Sequence, residues 1–162
     1  MDKRQLRHIF GKFATGVTVV TFNRGGEILG MTVNSYTSVS LEPPMVLFCP
    51  ALTCRFAQGA ELGSSFTISI LSSEQKDVCM HFAGRPNLQS TPWADDAQES
   101  PAIEGSNAHI KCTLEALHEH GDHYVAVGRV TSAQITSENE PLMFYAGSYP
   151  QLQKQTDESV VS

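Results

Sequence analysis

Small polar side chains crowd one otherwise apolar stretch of the chain, residues 30–49, which reads GMTVNSYTSVSLEPPMVLFC. Six of them fall within residues 32–40, namely Thr32, Asn34, Ser35, Thr37, Ser38 and Ser40. A buried hydroxyl or amide needs a hydrogen-bonding partner, so an ordinary apolar core does not favour this composition. A surface that holds a polar ligand against a sheet does favour it. The stretch therefore predicts a binding site for a small anionic or polyhydroxylated cofactor.

Strand alternation divides these side chains between two faces. In one continuous strand, Thr32, Asn34, Tyr36 and Ser38 share a face, and Ser35 lies on the other. We therefore expect Ser35 to contact a ligand through its backbone. The serines that precede the Pro-Pro pair also fit ordinary turn chemistry, so a purely structural interpretation of them stays open.

A second polar group, formed by Thr53, Cys54 and Arg55, precedes a short helix predicted over residues 54–62. The free N–H groups and the positive dipole end of a helix N-terminus suit a phosphate. A guanidinium adds a charge-assisted, bidentate contact. The alternative for Arg55 is a solvated surface charge.

Three histidines, His118, His120 and His123, surround a predicted tight turn at residues 121–122. His118 and His120 share a face of a strand, which is a two-ligand arrangement for a metal. No acidic or cysteine side chain is placed as a third ligand, and His123 lies across the turn. We therefore expect no metal site and a solvated hairpin end.

The elements that must position these residues are mostly short strands. An amphipathic helix is predicted over residues 2–15, capped by Asp2 and ended by Gly16. Strands are predicted at residues 17–22, 27–39, 45–48, 66–70, 109–120, 123–135 and 142–146, and further helices at 54–62 and 72–82. The long loop at residues 84–105 is typical of a functional lid or cover.

The order of these elements shows no βαβ alternation and no repeat, which favours a closed or nearly closed antiparallel barrel. A small barrel has little room inside, so a cofactor would lie on its outer wall or rim. A dimer interface is a natural place to bury it.

Composition limits the function classes further. The chain has 162 residues, 41% apolar content and a net charge of −6, which fits a globular protein and argues against nucleic acid or an anionic membrane as the main partner. It has no bilayer-length apolar run and no signal-peptide pattern, so we expect a cytoplasmic protein. The cysteines lack a CxxC pair and are expected to be free thiols: Cys49, Cys54, Cys79 and Cys112.

Six strings occur in an order that resembles a known family. They are FATGVTVVT (13–21), GMTVNSYTSVSLEPPMVL (30–47), FTISIL (66–71), FAG (82–84), GDH (121–123) and PLMFYAGSY (141–149). They resemble the short-chain flavin reductases of two-component flavin monooxygenases, above all the reductase components of phenol and 4-hydroxyphenylacetate hydroxylases. The resemblance covers residues 6–152, which predicts one domain over 1–152 and a polar tail over 153–162.

The resemblance implies a mainly β flavin-binding split barrel, a Greek-key antiparallel β-barrel with a few helices that forms a homodimer. It also implies reduction of FMN or FAD by NAD(P)H and transfer of the reduced flavin to a partner monooxygenase. NADH is expected over NADPH because no arginine cluster marks a 2′-phosphate site. The choice between FMN and FAD stays open.

Residue roles follow from the same resemblance. The predicted flavin contacts are Thr32, Val33, Asn34, Ser35, Ser38, Val39, Ser40, Thr53, Cys54, Arg55, Phe82, Ala83, Arg85 and Tyr149. His123 is expected over the flavin, where it positions the nicotinamide. Family members often carry a hydroxyl residue where this chain has Cys54, which puts one phosphate contact in doubt. Trp93 either covers a site or anchors its loop.

Two other functions stay open at this point. The first is a split-barrel flavin-binding or electron-carrier protein that does not turn over NAD(P)H. The second, more distant one is a related oxidase that acts on a pyridoxine phosphate, which the lack of an Arg and Lys cluster disfavours. No GxGxxG follows a strand, so flavin and nicotinamide would share one surface groove rather than use a Rossmann domain.

Overall fold

Strands make up most of the fold in the computed structural model, which describes residues 2–94 and 100–153. In chain order the elements are α1 (Lys3–Phe10), β1 (Thr15–Gly16), β2 (Thr18–Arg24), β3 (Glu27–Val33), β4 (Thr37–Leu41), β5 (Pro44–Phe48), β6 (Ser65–Ile70), α2 (Lys76–Phe82), β7 (Ala108–His120), β8 (His123–Ile135) and β9 (Met143–Phe144). The predicted tail at 153–162 lies outside the described residues except for its first residue.

Seven strands form one antiparallel sheet in the order β3-β2-β6-β7-β8-β5-β4, and β1 pairs with β9 in a separate two-stranded sheet. β3 and β4 are the two edges of the large sheet, yet residues 34–36 alone connect them. If the sheet were flat, its two edge strands would lie roughly 29 Å apart, at ~4.8 Å per strand. The link spans at most roughly 14 Å. The sheet must therefore curl until its edges approach each other, as the predicted split barrel requires.

Two apolar clusters lie on opposite faces of β2, because side chains alternate along a strand. Val20 and Phe22 join the larger cluster, which also contains Phe48, Phe56 and Phe66. Val17 and Val19 belong to the second cluster. The other buried members of that cluster are Leu71, Val78, Cys79, Ile103 and Leu142. The second cluster packs α2 and the end of the long loop against the sheet.

Buried hydroxyl groups attach residues 100–103 to the outer face of the sheet. The Thr21 hydroxyl donates to the Pro101 carbonyl at 2.6 Å, and the Thr67 hydroxyl donates to the Ser100 carbonyl at 2.6 Å. Ser69 Oγ accepts from the Ile103 N–H at 3.0 Å. This end of the predicted lid is therefore a packed part of the fold.

The first helix is shorter than predicted. Asp2 caps it through its side chain, as expected, but the helix ends at Phe10 and Gly11 follows as its C-cap. The Gly11 carbonyl accepts from the Ala146 N–H at 2.9 Å, and Thr15 pairs with Phe144. These long-range contacts redirect the chain before residue 15.

Two further predictions of secondary structure are wrong. The strand expected over 27–39 stops at Val33, and β4 begins at Thr37 on the opposite edge of the sheet. Residues 54–62 form turns instead of a helix. Phe56 in that segment is buried against Phe22 and Phe48, so tertiary packing decides the local backbone.

The remaining hairpins agree closely with the sequence-based expectations. Gly25 and Gly26 make the turn between β2 and β3, and residues 121–122 join β7 to β8. α2 ends at Phe82, as predicted, but begins at Lys76 rather than at residue 72. Within the described residues, neither helix has the length and apolar character needed to span a bilayer.

Candidate functional site

A groove surrounds Asn34, at the point where the chain crosses from one sheet edge to the other. Three adjoining cavities of about 570, 590 and 150 Å³ share Asn34, and together we call them the Asn34 groove. Their lining residues are Arg7, His8, Phe10, Gly11, Phe13, Thr15, Gly16, Val17, Thr18, Thr32, Ser35, Tyr36, Thr37, Ile70, Cys79, Phe144, Ala146, Gly147 and Tyr149. The size is that of a small-molecule site.

Pairing between distant segments builds this groove. The connection from α1 to β2 runs antiparallel to β9, which places Thr15 beside Phe144 and Gly16 beside Met143. The β3–β4 link supplies Asn34 opposite them. Residues far apart in sequence therefore form one concave surface.

Polar atoms in the groove are available to a ligand. Thr15 Oγ1 is buried without a hydrogen-bond partner, and the Asn34 side chain is exposed. Ser35 Oγ accepts from the Cys49 N–H at 2.9 Å, so its own hydrogen stays free to donate. These groups suit a ligand with several carbonyl, ring-nitrogen or hydroxyl groups.

Tyr149 and Cys79 form one wall of the groove. The Tyr149 hydroxyl lies 3.4 Å from Cys79 Sγ, and Lys76 Nζ lies 5.3 Å from the centroid of the Tyr149 ring. Burial, followed by the hydrogen bond with Cys79, raises the pKa of Tyr149 to about 12. Thr32 Oγ1 donates to the Cys79 carbonyl at 2.7 Å and so ties this wall to β3. Tyr149 is therefore a neutral phenol at ordinary pH.

A second cavity of about 450 Å³, which we call the Phe82 pocket, lies beside the end of α2. Its lining residues are Ile28, Leu29, Gly30, Arg55, His81, Phe82, Gly84, Pro86, Thr91 and Trp93. The Phe82 ring is central: its centroid lies 5.0 Å from that of His81 and 6.2 Å from that of Trp93. Aromatic faces next to a guanidinium can hold a flat, anionic ligand.

The groove and the pocket are neighbours along β3. Thr32 lines the groove and Gly30 lines the pocket, and residues two apart in a strand share a face at about 7 Å spacing. α2 covers both positions, through Cys79 over Thr32 and Phe82 over Gly30. Both cavities therefore lie next to α2.

The charged side chains that line the groove and the pocket are opposite in sign to the net charge of the chain. The chain has 17 acidic and 11 basic residues, yet no Asp or Glu lines these four cavities, which lie within the described residues. The charged side chains that do line them are Arg7, in the groove, and Arg55, in the pocket. A cavity lined only by groups of one sign raises the local concentration of oppositely charged ligands. This lining favours an anion.

His123 lines none of these four cavities and lies on the β7–β8 hairpin beside the segment after β5. It forms a bridge with Ala51, two residues from Cys49, whose N–H binds Ser35. His123 Nδ1 lies 2.7 Å from Asp122 Oδ1. An ionised carboxylate only accepts, so Nδ1 carries the proton and donates. This hydrogen bond lowers the pKa of the Asp122 carboxyl below its ordinary 3.8.

Several predicted contacts lie elsewhere. Val33 has its side chain in the larger apolar cluster. Ser38, Val39 and Ser40 lie on the edge strand β4, and Ser40 Oγ accepts from the Glu42 N–H at 3.2 Å. None of these four lines the groove or the pocket.

The residues predicted to bind phosphate are only partly assembled. Arg55 lines the Phe82 pocket, with its Nη1 3.9 Å from Glu27 Oε1. Thr53 and Cys54 line neither cavity, and Cys54 Sγ accepts from the Ala57 N–H at 3.4 Å. The helix N-terminus proposed for this phosphate is absent because residues 54–62 form turns. The predicted helix is therefore wrong, the phosphate contacts stay a prediction, and Arg55 alone of the three residues lines a cavity.

The end of α2 places its predicted residues near both cavities. Phe82 lines the pocket, and Ala83 follows it as the C-cap of α2. Arg85 is exposed, and its positive charge lowers the pKa of Tyr149 against the larger raising effect of burial. Arg85 is therefore a positive group near the groove.

Comparison with known proteins identifies the family of this chain. Residues 10–153 match the flavin reductase like domain. The chain belongs to this flavin reductase family. A curated relative is the reductase subunit HsaB of a flavin-dependent monooxygenase from Rhodococcus jostii, 40% identical over 151 residues that cover 92% of this chain and 77% of the relative.

Two further relatives agree with this assignment. The reductase component of 4-hydroxyphenylacetate 3-monooxygenase from Thermus thermophilus is 35% identical over 150 residues, which cover 93% of this chain and 97% of that one. The NADH:FAD oxidoreductase SgcE6 of Streptomyces globisporus, solved with NAD and FAD fragments, superimposes with a TM-score of 0.87 at 37% identity, with 96% of each chain covered. The resemblance stated from the sequence motifs is confirmed, and so is the split-barrel fold of this flavin reductase.

Sequence reasoning missed several lining residues of this flavin reductase. Phe13, Thr15 and Phe144 fall within the strings that carried the resemblance, but no role was assigned to them. Their position in the groove depends on long-range pairing between strands, which local sequence patterns do not reveal. His81 and Gly30 were also missed, although His81 directly precedes the FAG string and Gly30 is the first residue of the string at 30–47.

Proposed function

We propose that this chain transfers hydride from NADH to FMN or FAD and supplies the reduced flavin to a separate monooxygenase. The observation that carries the proposal is the lining of the Asn34 groove and the Phe82 pocket, which holds no acidic side chain in a chain with a net charge of −6. Flavin nucleotides and NADH are anionic and aromatic, and both features match this lining. The names of the relatives support the same reaction.

The residues present fit a flavin. Thr15 Oγ1 is a buried hydroxyl without a partner in the groove wall, and an acceptor on a bound ring would satisfy it. Asn34 and the free Ser35 hydroxyl hydrogen add donors along the same groove. We assign the ring system to this groove. We assign the phosphate end to the Phe82 pocket, where Arg55 supplies positive charge.

The chain's own residues mainly orient the reactants and exclude water. When bound, flavin supplies a two-electron acceptor, and hydride transfer to it requires close stacking with nicotinamide rather than a strong acid or base. Tyr149, held against Cys79, closes one side of the groove. Lys76 and Arg85 provide positive charge next to it.

We assign His123 to the nicotinamide side. Its Nδ1–H is directed to Asp122, which orients the ring. Replacing His123 by Ala is expected to raise the KM for NADH about three- to tenfold, the effect of losing one contact, with little change in the KM for flavin. His118→Ala is the matched control, because His118 is an exposed histidine of the same hairpin. An unchanged KM for NADH in the His123 variant would remove this role.

The deciding experiment follows the absorbance of NADH with purified protein and FMN, FAD, riboflavin or no added flavin. Oxidation that requires added flavin supports a reductase that releases reduced flavin. Oxidation without added flavin points to a tightly held prosthetic group. A protein that binds flavin but oxidises neither NADH nor NADPH would be a carrier, and the proposal would be wrong.

We also propose a homodimer. Exposed apolar side chains support it: Phe13 is 78% exposed, Phe10 67% and Leu41 92%. Phe13 and Phe10 line the Asn34 groove, so a second copy that covers them would also complete the site. Sedimentation should give a dimer, and Leu41→Lys should weaken it without altering either cavity. A wild-type monomer at micromolar concentration would contradict this proposal.

Three further proposals concern the domain organisation, the location and the partner of this protein. We propose one catalytic domain over residues 1–152, with 153–162 as a tail. A cytoplasmic location is supported by four cysteines that are all free thiols. The partner is a flavin-dependent monooxygenase, in line with the reductase-component names of the relatives.

A further inference from the structure

We propose that His81 is a positioning residue that holds the wall of the Phe82 pocket and thereby sets the affinity for the nucleotide end of the flavin. The proposal rests on the proposed function for the identity of the ligand. Its geometric basis is independent of that function. His81 Nδ1 accepts two backbone N–H groups, from Asn87 at 3.2 Å and from Leu88 at 3.1 Å.

These two bonds define the state of the ring. A nitrogen that accepts N–H groups cannot itself carry a proton, so the neutral ring has its hydrogen on Nε2. The ring also packs edge-on against Phe82, with centroids 5.0 Å apart and planes at 83°. His81 therefore connects the last turn of α2 to the segment that follows it.

The segment from residue 84 to residue 94 is the outer wall of the pocket, which it lines through Gly84, Pro86, Thr91 and Trp93. Its start is attached by the Arg85 N–H, which donates to the Met80 carbonyl at 3.1 Å. Its far end pairs with residues 102–104. The Ala94 N–H donates to the Ala102 carbonyl at 2.9 Å, and the Glu104 N–H donates to the Pro92 carbonyl at 2.8 Å. The two hydrogen bonds that His81 accepts, from residues 87 and 88, lie between these attachments, directly after the lining residue Pro86.

Loss of the His81 acceptor is expected to move the wall without unfolding the protein. Asn87 is exposed and Leu88 half-buried, so water can replace the lost acceptor at the freed N–H groups. The attachments at residues 85 and 92–94 would remain. The effect should therefore appear in ligand affinity and in the exchange of these two amides.

Two substitutions separate the acceptor from the ring. Asn places Oδ1 where His has Nδ1, because both atoms are bonded to Cγ, so His81→Asn retains the acceptor. Gln carries its oxygen one bond further out, so His81→Gln keeps a polar side chain but loses that position. His118→Gln repeats the second change at an exposed histidine that lines neither cavity.

The first readout is amide hydrogen exchange of the ligand-free protein, followed at Asn87 and Leu88. We expect faster exchange in His81→Gln and protection close to wild type in His81→Asn and His118→Gln. Equal exchange in all four proteins would overturn the proposal, because the two hydrogen bonds would then not hold the segment.

The second readout is the KM for FAD, FMN and riboflavin at saturating NADH. In His81→Gln the KM for FAD should rise about three- to tenfold with unchanged kcat, the KM for riboflavin should not change, and His81→Asn should restore affinity. An equal rise for riboflavin would overturn the assignment to the nucleotide end. A wild-type protein that reduces no flavin would overturn the proposed function and leave the exchange result as a separate test of the contact.

Discussion

Adding one methyl group at Gly30 tests how the Phe82 pocket is built. A Cβ atom at Gly30 would lie 2.5 Å from both Cδ1 and Cε1 of Phe82 and 3.2 Å from its Cζ. Ordinary contact between carbon atoms begins near about 3.5 Å, so the ring would have to retreat by roughly 1 Å. Overpacking of this kind typically costs about 1–3 kcal/mol. We expect Gly30→Ala to lower the free energy of unfolding by that amount.

The double-mutant cycle with Phe82→Ala isolates the contact. Without the ring, the methyl group at residue 30 has room. Gly30→Ala should then be neutral or stabilise by about 0.5–1 kcal/mol, because Gly weakens a strand interior. Gly16→Ala is the control, since a Cβ atom there has no neighbour within 4 Å. Urea denaturation at equilibrium measures all of these variants.

The functional readout is the KM for FAD. Because Phe82 packs between His81 and Trp93, its retreat should disturb the pocket and raise the KM for FAD more than that for riboflavin. The reasoning is refuted if Gly30→Ala costs the same free energy with and without the Phe82 ring. It is also refuted if Gly30→Ala lowers the free energy of unfolding no more than Gly16→Ala does.

Gly128 offers a buried counterpart: a Cβ atom there would lie 2.3 Å from Cζ of Phe66, which is 1% exposed, so the ring has nowhere to retreat. Gly128→Ala should therefore lower the unfolding free energy by about 3 kcal/mol, the upper end of the overpacking range, and urea denaturation showing a smaller loss than Gly30→Ala would contradict this comparison. Burial raises the pKa of Cys112 from its ordinary 9.0 to about 12, so the unfolded thiol ionises first and stability is lost as the pH rises from 9 to 12. Between pH 8 and pH 10 wild type should lose about 1.4 kcal/mol more than Cys112→Ala in urea titrations, and equal losses would show that burial does not set this pKa.

Local patterns predicted the hairpins because turn chemistry is itself local. The residues around Gly25 and Gly26 and the turn at 121–122 have their expected places, since positive φ angles at Gly25, Gly26 and Gly121 need glycine. The end of α2 was predictable for the same reason: Gly84, at a φ of 85°, follows its C-cap.

Long-range contacts explain why the strand predicted over 27–39 and the helix predicted over 54–62 are wrong. Alternation continues across residues 34–36, so the sequence contains no sign that Ser35 Oγ binds the Cys49 N–H and that a new strand starts on the opposite edge. Phe56 has helix-compatible neighbours in sequence. Its burial among aromatic rings from β2, β5 and β6 is what determines the turns around it.

The candidate site also divides into residues that local patterns predict and residues that only long-range contacts bring together. Thr32, Asn34 and Ser35 were predicted from composition because short polar groups on a strand signal a ligand, and all three line the groove. Thr15 and Phe144 were not predicted, since their approach depends on pairing between β1 and β9. Conversely, Val33 entered the predicted set as part of a motif, and its side chain is in the core.

The groove is a consequence of the topology that leaves the barrel split. Consecutive strands β3 and β4 occupy opposite edges of the sheet, so the link between them crosses the gap where a closed barrel would have paired them. Val33, at the end of β3, directs its side chain into the core, and alternation then directs Thr32 and Asn34 away from it. A register shift of one residue would exchange these roles and bury the polar groups. The same few residues therefore fix both the register of the edge strand and the polar surface of the groove.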